Sequence, residues 1–361
     1  MGEELTVGVE EEFLLVGNTG QLSFTGPALI GETEGQDGKL QKELGGCQVE
    51  SATSVCRTAD EITGQLRNLR VQLAEAARSH SARLVPTGTP ILAQAAPMEI
   101  TPDTRYHKMT EHFGAITYTA STCGCHVHVS VPDRATCVQV SNRLRPWLPL
   151  LLALTANSPF NAGQDTAYSS WRHILWSRWP SAGPPPLFTS LDHYESSVAA
   201  MLQAGAMLDR GMIYWDIRLS EHHPTLEFRG CDVAATVEDA ALVAVLIRGL
   251  VARALEDLAC GQPALTLPHE VLRANLWRAA RDGFTGSCLE PSSGNLLPVH
   301  VQIQRLVQQL RPILEDLGDL EFVEANLARL HKSGDGAHRQ RLAYQRRHNL
   351  QDVIDLLAVS N

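Results

Sequence analysis

The stretch Thr6-Val7-Gly8-Val9-Glu10-Glu11-Glu12-Phe13 places three consecutive carboxylates among apolar residues near the N-terminus. In a β-strand, successive side chains point to opposite faces. Glu10 and Glu12 therefore share one face, and Glu11 points to the other with the valines and Phe13. Two neighbouring carboxylates repel each other and are costly to bury, so one interpretation is a divalent metal bound by their oxygens. The other is a solvated edge strand.

The overall composition is that of an ordinary globular chain. The 361 residues are 44% hydrophobic and 19% charged, enough for a sizeable core. A formal net charge of −10 disfavours a sequence-independent nucleic-acid binder, which is normally basic. No signal-peptide pattern and no long uncharged apolar run is visible, so a cytoplasmic protein without a membrane partner is expected. No repeat or linker interrupts residues 1–361, which we predict to form one domain with a helical C-terminal third.

Eight cysteines are scattered along the chain without a CxxC pair. Cys123-Gly124-Cys125 is too tightly spaced for a zinc ribbon. Cys125 precedes His126, but in a strand these two side chains point to opposite faces, so a catalytic thiol is not expected. Buried cysteines that act as small hydrophobes are the prediction.

Hydrophobic periodicity and capping residues predict the secondary structure. Predicted strands are Leu5–Val16, a hairpin return at Gln21–Phe24, Cys47–Thr53, Arg83–Thr87, Ser121–Val131, Ile213–Leu219 and Thr225–Arg229. Predicted helices are Thr58–Ser81, Asp133–Asn157, Tyr194–Leu208, Val237–Leu258, Pro268–Asp282, Val299–Leu317, Leu320–Leu330 and Leu350–Ala358. Loops are predicted at 31–39 and 95–104, and a longer loop rich in Trp, Arg and Pro at 165–186, where function is often located.

Five predicted strands combine an apolar face with a face of potential metal or phosphate ligands. These pairs are Glu10/Glu12, Gln48/Glu50, His126/His128, Asp216/Arg218 and Glu227/Arg229. Taken singly, His126 or His128 is better explained as a hydrogen-bonded strand residue, and Asp216/Arg218 and Glu227/Arg229 are better explained as cross-strand ion pairs. Their repetition on one antiparallel sheet instead predicts a site for Mg²⁺ or Mn²⁺ and an anionic substrate. Such sites commonly serve phosphoryl transfer, although no GxxxxGK[ST], GxGxxG or GxSxG motif is present.

An ordered set of motifs along nearly the whole chain resembles the glutamate–cysteine ligase type 2 family, also called carboxylate–amine ligases. The motifs are Gly8-Val9-Glu10-Glu11-Glu12-Phe13, Gln48-Val49-Glu50, Gly124-Cys125-His126-Val127-His128-Val129, Trp176-Ser177-Arg178-Trp179-Pro180, Tyr214-Trp215-Asp216-Ile217-Arg218, Thr225-Leu226-Glu227-Phe228-Arg229, Asn275-Leu276-Trp277-Arg278-Ala279-Ala280-Arg281-Asp282-Gly283 and Gly334-Asp335-Gly336-Ala337-His338-Arg339-Gln340-Arg341. No single motif is decisive, and the specificity lies in their order.

The resemblance implies an α+β, glutamine-synthetase-like fold, in which a curved antiparallel sheet forms a funnel with helices packed on its outer face. It implies ATP and Mg²⁺, with Mn²⁺ as a substitute, and formation of a γ-glutamyl amide bond through an acyl phosphate. The implied metal ligands are Glu10, Glu12, Glu50, Glu227 and His126, with His128 beside His126. Arg229 and Arg218 would meet the phosphates. Arg172 and Arg178 would hold substrate carboxylates, and Arg278, Arg281 and Arg339 would contact the nucleotide or the funnel wall.

Several questions stay open in the sequence. Cys125 and the loop Leu219–His223 depart from the family pattern, so the acceptor is cysteine, another amino acid or another amine. A ligase of secondary metabolism, a metal-dependent hydrolase using His126 and His128, and a non-catalytic binding relative are the alternatives. The partners expected are small molecules, with homo-oligomerisation open. Glu11, on the apolar face, requires a buried partner, and we predict an arginine from the helical layer.

Overall fold

The computed structural model describes residues 5–33, 40–94, 97–119 and 121–359. Its strands are β1 (Val7–Gly17), β2 (Leu40–Lys42), β3 (Gln48–Ala52), β4 (Ala82–Val85), β5 (Gly124–Ser130), β6 (Phe160–Asn161), β7 (Gln164–Asp165), β8 (Ile217–Leu219), β9 (Thr225–Asp232), β10 (Ser287–Leu289) and β11 (Leu296–Pro298). Its helices are α1 (Gly26–Thr33), α2 (Ala59–Ser79), α3 (Thr104–Phe113), α4 (Ala115–Tyr118), α5 (Arg134–Leu144), α6 (Leu148–Thr155), α7 (Trp171–Trp176), α8 (Leu191–Gln203), α9 (Val237–Ala259), α10 (His269–Asp282), α11 (Val299–Asp316), α12 (Leu320–Ser333), α13 (Gly336–Arg347) and α14 (Leu350–Leu357).

A seven-stranded antiparallel sheet organises the molecule. The strands run in the order β2-β3-β1-β5-β9-β8, and β4 pairs with the C-terminal half of β1. The register sets Glu12 of β1 opposite Glu50 of β3, and Glu10 opposite His126 of β5. Side chains that the sequence places on one polar face are thereby brought side by side.

The helical layer packs on the other face of this sheet. α2 and α9 contact β1 and each other, and α9 also lies against β5. Thr58 caps α2 as predicted, because its hydroxyl accepts a hydrogen bond from the Glu61 amide. α9 is buried along most of its length, which explains its apolar sequence. The fold is thus α+β, with the core between the sheet and the helices.

Some elements differ from the sequence-based expectation. The predicted hairpin return at 21–24 is a single bridge between Val16 and Leu22, and the predicted strand over 213–219 is regular only from Ile217. The predicted helix from Asp133 divides at a 3-10 turn, Arg145–Trp147, where Pro146 cannot donate a backbone hydrogen bond. Five helices, α1, α3, α4, α7 and α13, and the short strands β2, β6, β7, β10 and β11 were not predicted. Of the predicted loops, residues 34–39, 95 and 96 lie outside the described residues.

Among the described residues, no helix combines the length and the apolar character that crossing a membrane requires.

Candidate active site

A cavity of about 330 Å³ opens on the sheet face that Glu10 and Glu12 share. Six strands contribute residues to its lining, namely β1, β2, β3, β5, β8 and β9. The side chains that line it include nine predicted polar-face residues: Glu10, Glu12, Gln48, Glu50, His126, His128, Arg218, Glu227 and Arg229. The predicted convergence of these residues is therefore confirmed. Asp216, predicted to belong with them, does not line the cavity.

The first acidic cluster on this floor consists of Glu10, His128 and Glu227, whose potential ligand atoms lie within 4.8 Å of one another. His128 Nε2 is 3.3 Å from Glu10 Oε1 and 3.9 Å from Glu227 Oε1. The other ring nitrogen, Nδ1, shares a 2.9 Å hydrogen bond with Thr225 Oγ1, which orients the ring. Burial opposes ionisation of Glu10, but the adjoining His126 and His128 rings hold its pKa well below the ordinary value.

The second acidic cluster consists of Glu12, Glu43 and Glu50, again with ligand atoms within 4.8 Å of one another. Glu12 Oε2 accepts a 2.6 Å hydrogen bond from the Gly124 amide. Burial raises the pKa of Glu12, and burial together with the Glu43 carboxylate raises the pKa of Glu50 well above its ordinary value. These carboxylates therefore lack sufficient positive charge from the protein alone.

His126 lies between the two clusters. Its Nδ1 is 3.2 Å from Glu10 Oε2, and its Nε2 is 3.8 Å from Glu12 Oε1. Burial and the nearby Arg229 lower the pKa of His126, which favours the neutral ring that can donate an electron pair.

Two arginines share the carboxylate of Glu227. Arg218 stands opposite Glu227 across β8 and β9 and binds it in bidentate fashion, at 2.6 and 3.0 Å. Arg229 Nη1 bonds the same carboxylate. Burial opposes ionisation of Glu227, but Arg229 and Arg218 hold its pKa far below the ordinary value. A cross-strand ion pair, the alternative reading of these strands, is thus present inside the cavity.

An aromatic wall stands beside the acidic floor. It comprises Tyr106 from α3, Trp176 at the end of α7, and Trp179 and Tyr214 from the connecting segments. The rings of Trp176 and Tyr214 lie 4.7 Å apart between centroids. The predicted functional loop at 165–186 supplies both tryptophans, whereas α3 and Glu43 were not predicted. Asp103, which caps α3 through the Arg105 amide, was the signal available for α3.

Arg172 is fully buried behind this floor rather than lining it. Its Nη2 donates to the backbone oxygen of Arg229 at 3.3 Å. A Cβ atom at Gly124 would lie 2.9 Å from Arg172 Cζ, so only glycine leaves room for the guanidinium there. Asp232 positions the segment that carries Arg172, because it accepts hydrogen bonds from Ser158 and Ser170 at 2.7 Å each. Direct contact of Arg172 with a substrate carboxylate stays a prediction that this burial does not support.

The remaining predicted arginines lie away from the cavity. Arg178 is exposed and lines a separate cavity with Trp171. Arg278 pairs with Asp282 on α10, Arg281 stacks over the Tyr168 ring, and Arg339 bonds Asp239. Asp335, from the same family motif as Arg339, caps α13 and accepts the Phe284 amide. These contacts give the two C-terminal motifs a structural role, and the geometry gives Arg278, Arg281 and Arg339 no place beside the acidic floor.

Two further carboxylates are buried outside the cavity. Glu11 forms a bidentate pair with Arg70 of α2, at 2.9 and 2.5 Å, so the predicted arginine partner from the helical layer is confirmed. Asp216 is also buried, and within the described part of the chain its Oδ2 has no hydrogen-bond partner. Burial raises the pKa of Asp216 to about 7.

The cavity residues fit a divalent metal. In the described structure, Nε2 of His126 and Nε2 of His128 are buried without a hydrogen-bond partner. Both atoms belong to rings that adjoin carboxylates on the cavity floor. A set dominated by carboxylate oxygens, with few imidazoles and no thiolate, suits Mg²⁺ or Mn²⁺ better than zinc.

An antiparallel sheet with an acidic, arginine-bearing open face and helices behind it defines the glutamine-synthetase-like fold class. The sequence model described as "Glutamate-cysteine ligase family 2" matches residues 6–355. The chain belongs to this family of carboxylate–amine ligases, as the sequence motifs predict.

Close relatives extend over the whole chain. The "Putative glutamate--cysteine ligase 2-1" of Rhodococcus jostii is 50% identical over 356 residues, which cover 99% of this chain and 96% of that protein. The "Putative glutamate--cysteine ligase 2-3" of Mycolicibacterium smegmatis is 44% identical and covers 100% of this chain and 99% of its own length.

Solved structures share the fold at low sequence identity. A glutamate–cysteine ligase from Francisella tularensis, solved in complex with AMP, superposes with a TM-score of 0.70 at 14% identity, covering 98% of this chain and 87% of that one. A bifunctional glutathione synthetase from Pasteurella multocida gives 0.66 at 15% identity, covering 98% of this chain and 52% of that one. The expected fold class is confirmed.

Proposed function

We propose that this protein is an ATP-dependent carboxylate–amine ligase that joins the γ-carboxylate of glutamate to an amine through an acyl phosphate. The observation that carries the proposal is the convergence of two acidic clusters and two arginines on one cavity floor. Family membership supports the reaction class. The acceptor is cysteine or another amino acid or amine, since the loop Leu219–His223, which departs from the family pattern, contributes to the cavity lining.

The chain's own residues have distinct roles in this proposal. Glu10, His128 and Glu227 would hold one divalent ion, and Glu12, Glu43 and Glu50 another, with His126 between them. When bound, Mg²⁺ or Mn²⁺ neutralises charge on the triphosphate.

Arg218 and Arg229 supply fixed positive charge beside the first cluster. They face the transferred phosphoryl group and stabilise its developing negative charge, since preorganised cations need no rearrangement during the reaction. The sheet fixes the separation of these groups, and the aromatic wall limits access of water to the acyl phosphate. The γ-carboxylate of glutamate attacks the γ-phosphorus of ATP and displaces ADP, which gives the acyl phosphate. The amine then attacks the acyl carbon, loses a proton and displaces inorganic phosphate.

The test is a coupled assay of the purified protein with ATP, Mg²⁺, glutamate and a panel of amines that includes cysteine. ADP formation that depends on both glutamate and an amine, with the mass of the γ-glutamyl product, is expected. Glu12→Ala abolishes this activity, and Glu238→Ala, on an exposed carboxylate of α9, leaves it unchanged. Failure of every amine to stimulate ADP formation contradicts the proposal, and turnover without ATP points instead to a metal-dependent hydrolase.

A further inference from the structure

We propose that Tyr214 and Trp176 are positioning residues that hold the guanidinium of Arg229 in place at the cavity floor. This inference rests on the proposed function, in which Arg229 acts on the phosphoryl group. The aromatic pair is clamped between two guanidinium groups, Arg229 on the cavity side and the buried Arg172 on the other.

The contacts form a continuous stack. The Cζ atom of Arg229 lies 6.0 Å from the centre of the Tyr214 ring, and that ring lies 4.7 Å from the ring of Trp176 at an interplanar angle of 49°. Arg172 Cζ lies 5.6 Å from the centre of the Trp176 ring. Each guanidinium is within the range of a cation–π interaction, which strengthens where water is excluded. Both aromatic side chains line the cavity that contains Arg229.

Arg229 needs this support because its ionic anchor is shared. Its Nη1 bonds Glu227, which also accepts two hydrogen bonds from Arg218 and belongs to the first acidic cluster. In the described chain, Arg229 Nε is buried without a hydrogen-bond partner. Any cation that competes for the Glu227 oxygens weakens the ion pair, whereas the face of Tyr214 remains available to Arg229.

The stack is braced from behind, so it can resist displacement. Trp179 packs edge-on against Tyr214 at 5.4 Å, and Phe113 of α3 packs edge-on against Trp179 at 5.3 Å. Arg172, at the far end, donates to the backbone oxygen of Arg229 itself. The aromatic wall and the acidic floor are therefore in contact at Arg229, so that a shift of the wall would displace the guanidinium.

Plain core packing of Tyr214 is the competing explanation, and a second buried aromatic residue provides a matched control. Phe188 packs on Tyr194 and Trp215, with ring centres 5.1 and 5.2 Å apart, and among the described residues its ring stacks on aromatic or histidine rings and not on an arginine. Replacing either aromatic residue by Leu loses buried ring contacts. Only the replacement of Tyr214 removes a ring from a guanidinium.

A double-mutant cycle measured by urea unfolding tests the contact directly. It uses Tyr214→Leu, Arg229→Gln and their combination, with Phe188→Leu in place of Tyr214→Leu as control. We expect coupling of about tenfold in the unfolding equilibrium constant for the Tyr214 cycle, and additivity within about twofold for the Phe188 cycle. An additive Tyr214 cycle overturns the inference. If Arg229→Gln does not fold, Arg229→Lys takes its place in both cycles, because it keeps a positive charge beside Glu227 and removes the planar guanidinium.

The same variants, assayed for kcat and for KM of ATP, test the consequence. Tyr214→Leu lowers kcat about 10- to 100-fold, Tyr214→Phe restores it to within about threefold, and Tyr214→Leu adds less than about threefold to the loss in Arg229→Gln. If the two single-variant losses of kcat multiply in the double variant, Tyr214 does not act through Arg229 and the inference is overturned. If the wild-type protein is inactive, the proposed function is contradicted instead. The unfolding cycle then decides on its own whether the Tyr214 ring holds the Arg229 guanidinium.

Discussion

Glu11 and Glu12 are adjacent in β1 and lie in opposite electrostatic environments. Glu11, on the helical face, is fully buried and accepts hydrogen bonds from Nε and Nη2 of Arg70. Glu12, on the cavity face, is bonded by one backbone amide and lies near Glu43 and Glu50, and its pKa is raised. The first carboxylate has its counter-charge in the fold, and the second requires one from outside. A structural ion pair and the proposed metal site thus occupy the two sides of one strand.

The largest expected effect concerns the cavity side. Glu12→Gln keeps the shape and the acceptor for the Gly124 amide but removes the negative charge. We expect ligation to fall by more than about 10³-fold, a barrier increase of at least about 4 kcal/mol. Urea unfolding of the same variant without metal should show unchanged or higher stability, because a poorly compensated buried charge is gone. Normal turnover in Glu12→Gln would show that the second acidic cluster is not part of the active site.

The helical side should respond in the opposite manner. Glu11→Gln leaves Arg70 charged and buried, and we expect the unfolding free energy to fall by about 3–5 kcal/mol. Turnover per folded molecule should stay close to that of the wild type. The double variant Glu11→Leu/Arg70→Met, which removes both charges, is expected to recover most of the lost stability when followed by urea denaturation. A fully stable Glu11→Gln protein would contradict the contrast.

Asp216 provides a third case: it is a buried carboxylate that makes no hydrogen bond to an arginine among the described residues and does not line the cavity. Its pKa is raised from 3.8 to about 7. The neutral form is therefore favoured by folding, so its contribution is complete below about pH 4 and is lost as the pH rises to 7. Relative to the wild type, Asp216→Asn should gain at most about 4 kcal/mol between pH 4 and 8. A difference independent of pH, measured by urea unfolding across this range, would refute this.

Divalent metal should stabilise the fold through the cavity side alone. At a free Mg²⁺ concentration near 100 times its dissociation constant, binding adds about 2.7 kcal/mol to the unfolding free energy. We expect this increment in the wild type and in Glu11→Gln, and a smaller one in Glu12→Gln. The measurement is the urea midpoint with Mg²⁺ compared with EDTA. Equal increments in all three proteins would show that the ion binds elsewhere.

The smallest expected effect is at an exposed ion pair. Glu238 and Arg67 are 3.0 Å apart, with side chains 39% and 57% exposed. Glu238→Ala should change the unfolding free energy by less than about 0.5 kcal/mol and leave turnover unchanged, because solvent and salt screen such pairs. It is the baseline against which losses at Glu11 and Glu12 are judged.

Strand periodicity is the reason that much of the site was predictable. Alternation alone separates Glu11 from Glu10 and Glu12, and it groups His126 with His128 and Glu227 with Arg229. It also predicts an arginine for Glu11, although not that Arg70 of α2 provides it. Because antiparallel strands bring same-face residues together, the sequence pattern translates directly into the cavity floor.

Residues on irregular segments escaped prediction for a physical reason. Glu43 follows β2 in a connection with no periodicity, so its approach to Glu12 and Glu50 depends on tertiary packing. Arg278 and Arg339 were grouped with the site because the presence of a charged residue in a family motif does not show which way its side chain points. Arg278 pairs with Asp282 one turn along α10, which helical spacing alone indicates, whereas the partner of Arg339, Asp239 of α9, becomes apparent only when the helices pack together.

The pairing of Glu11 with Arg70 has a consequence for folding. A one-residue slip of β1 against β3 and β5 would turn Glu10 and Glu12 toward the helices and Glu11 toward solvent. One guanidinium cannot neutralise two carboxylates there, and at least one buried charge would remain unpaired, at a cost of several kcal/mol. The alternating triplet and its single arginine therefore make the misaligned sheet less stable than the native one, and they do so before any ligand is present.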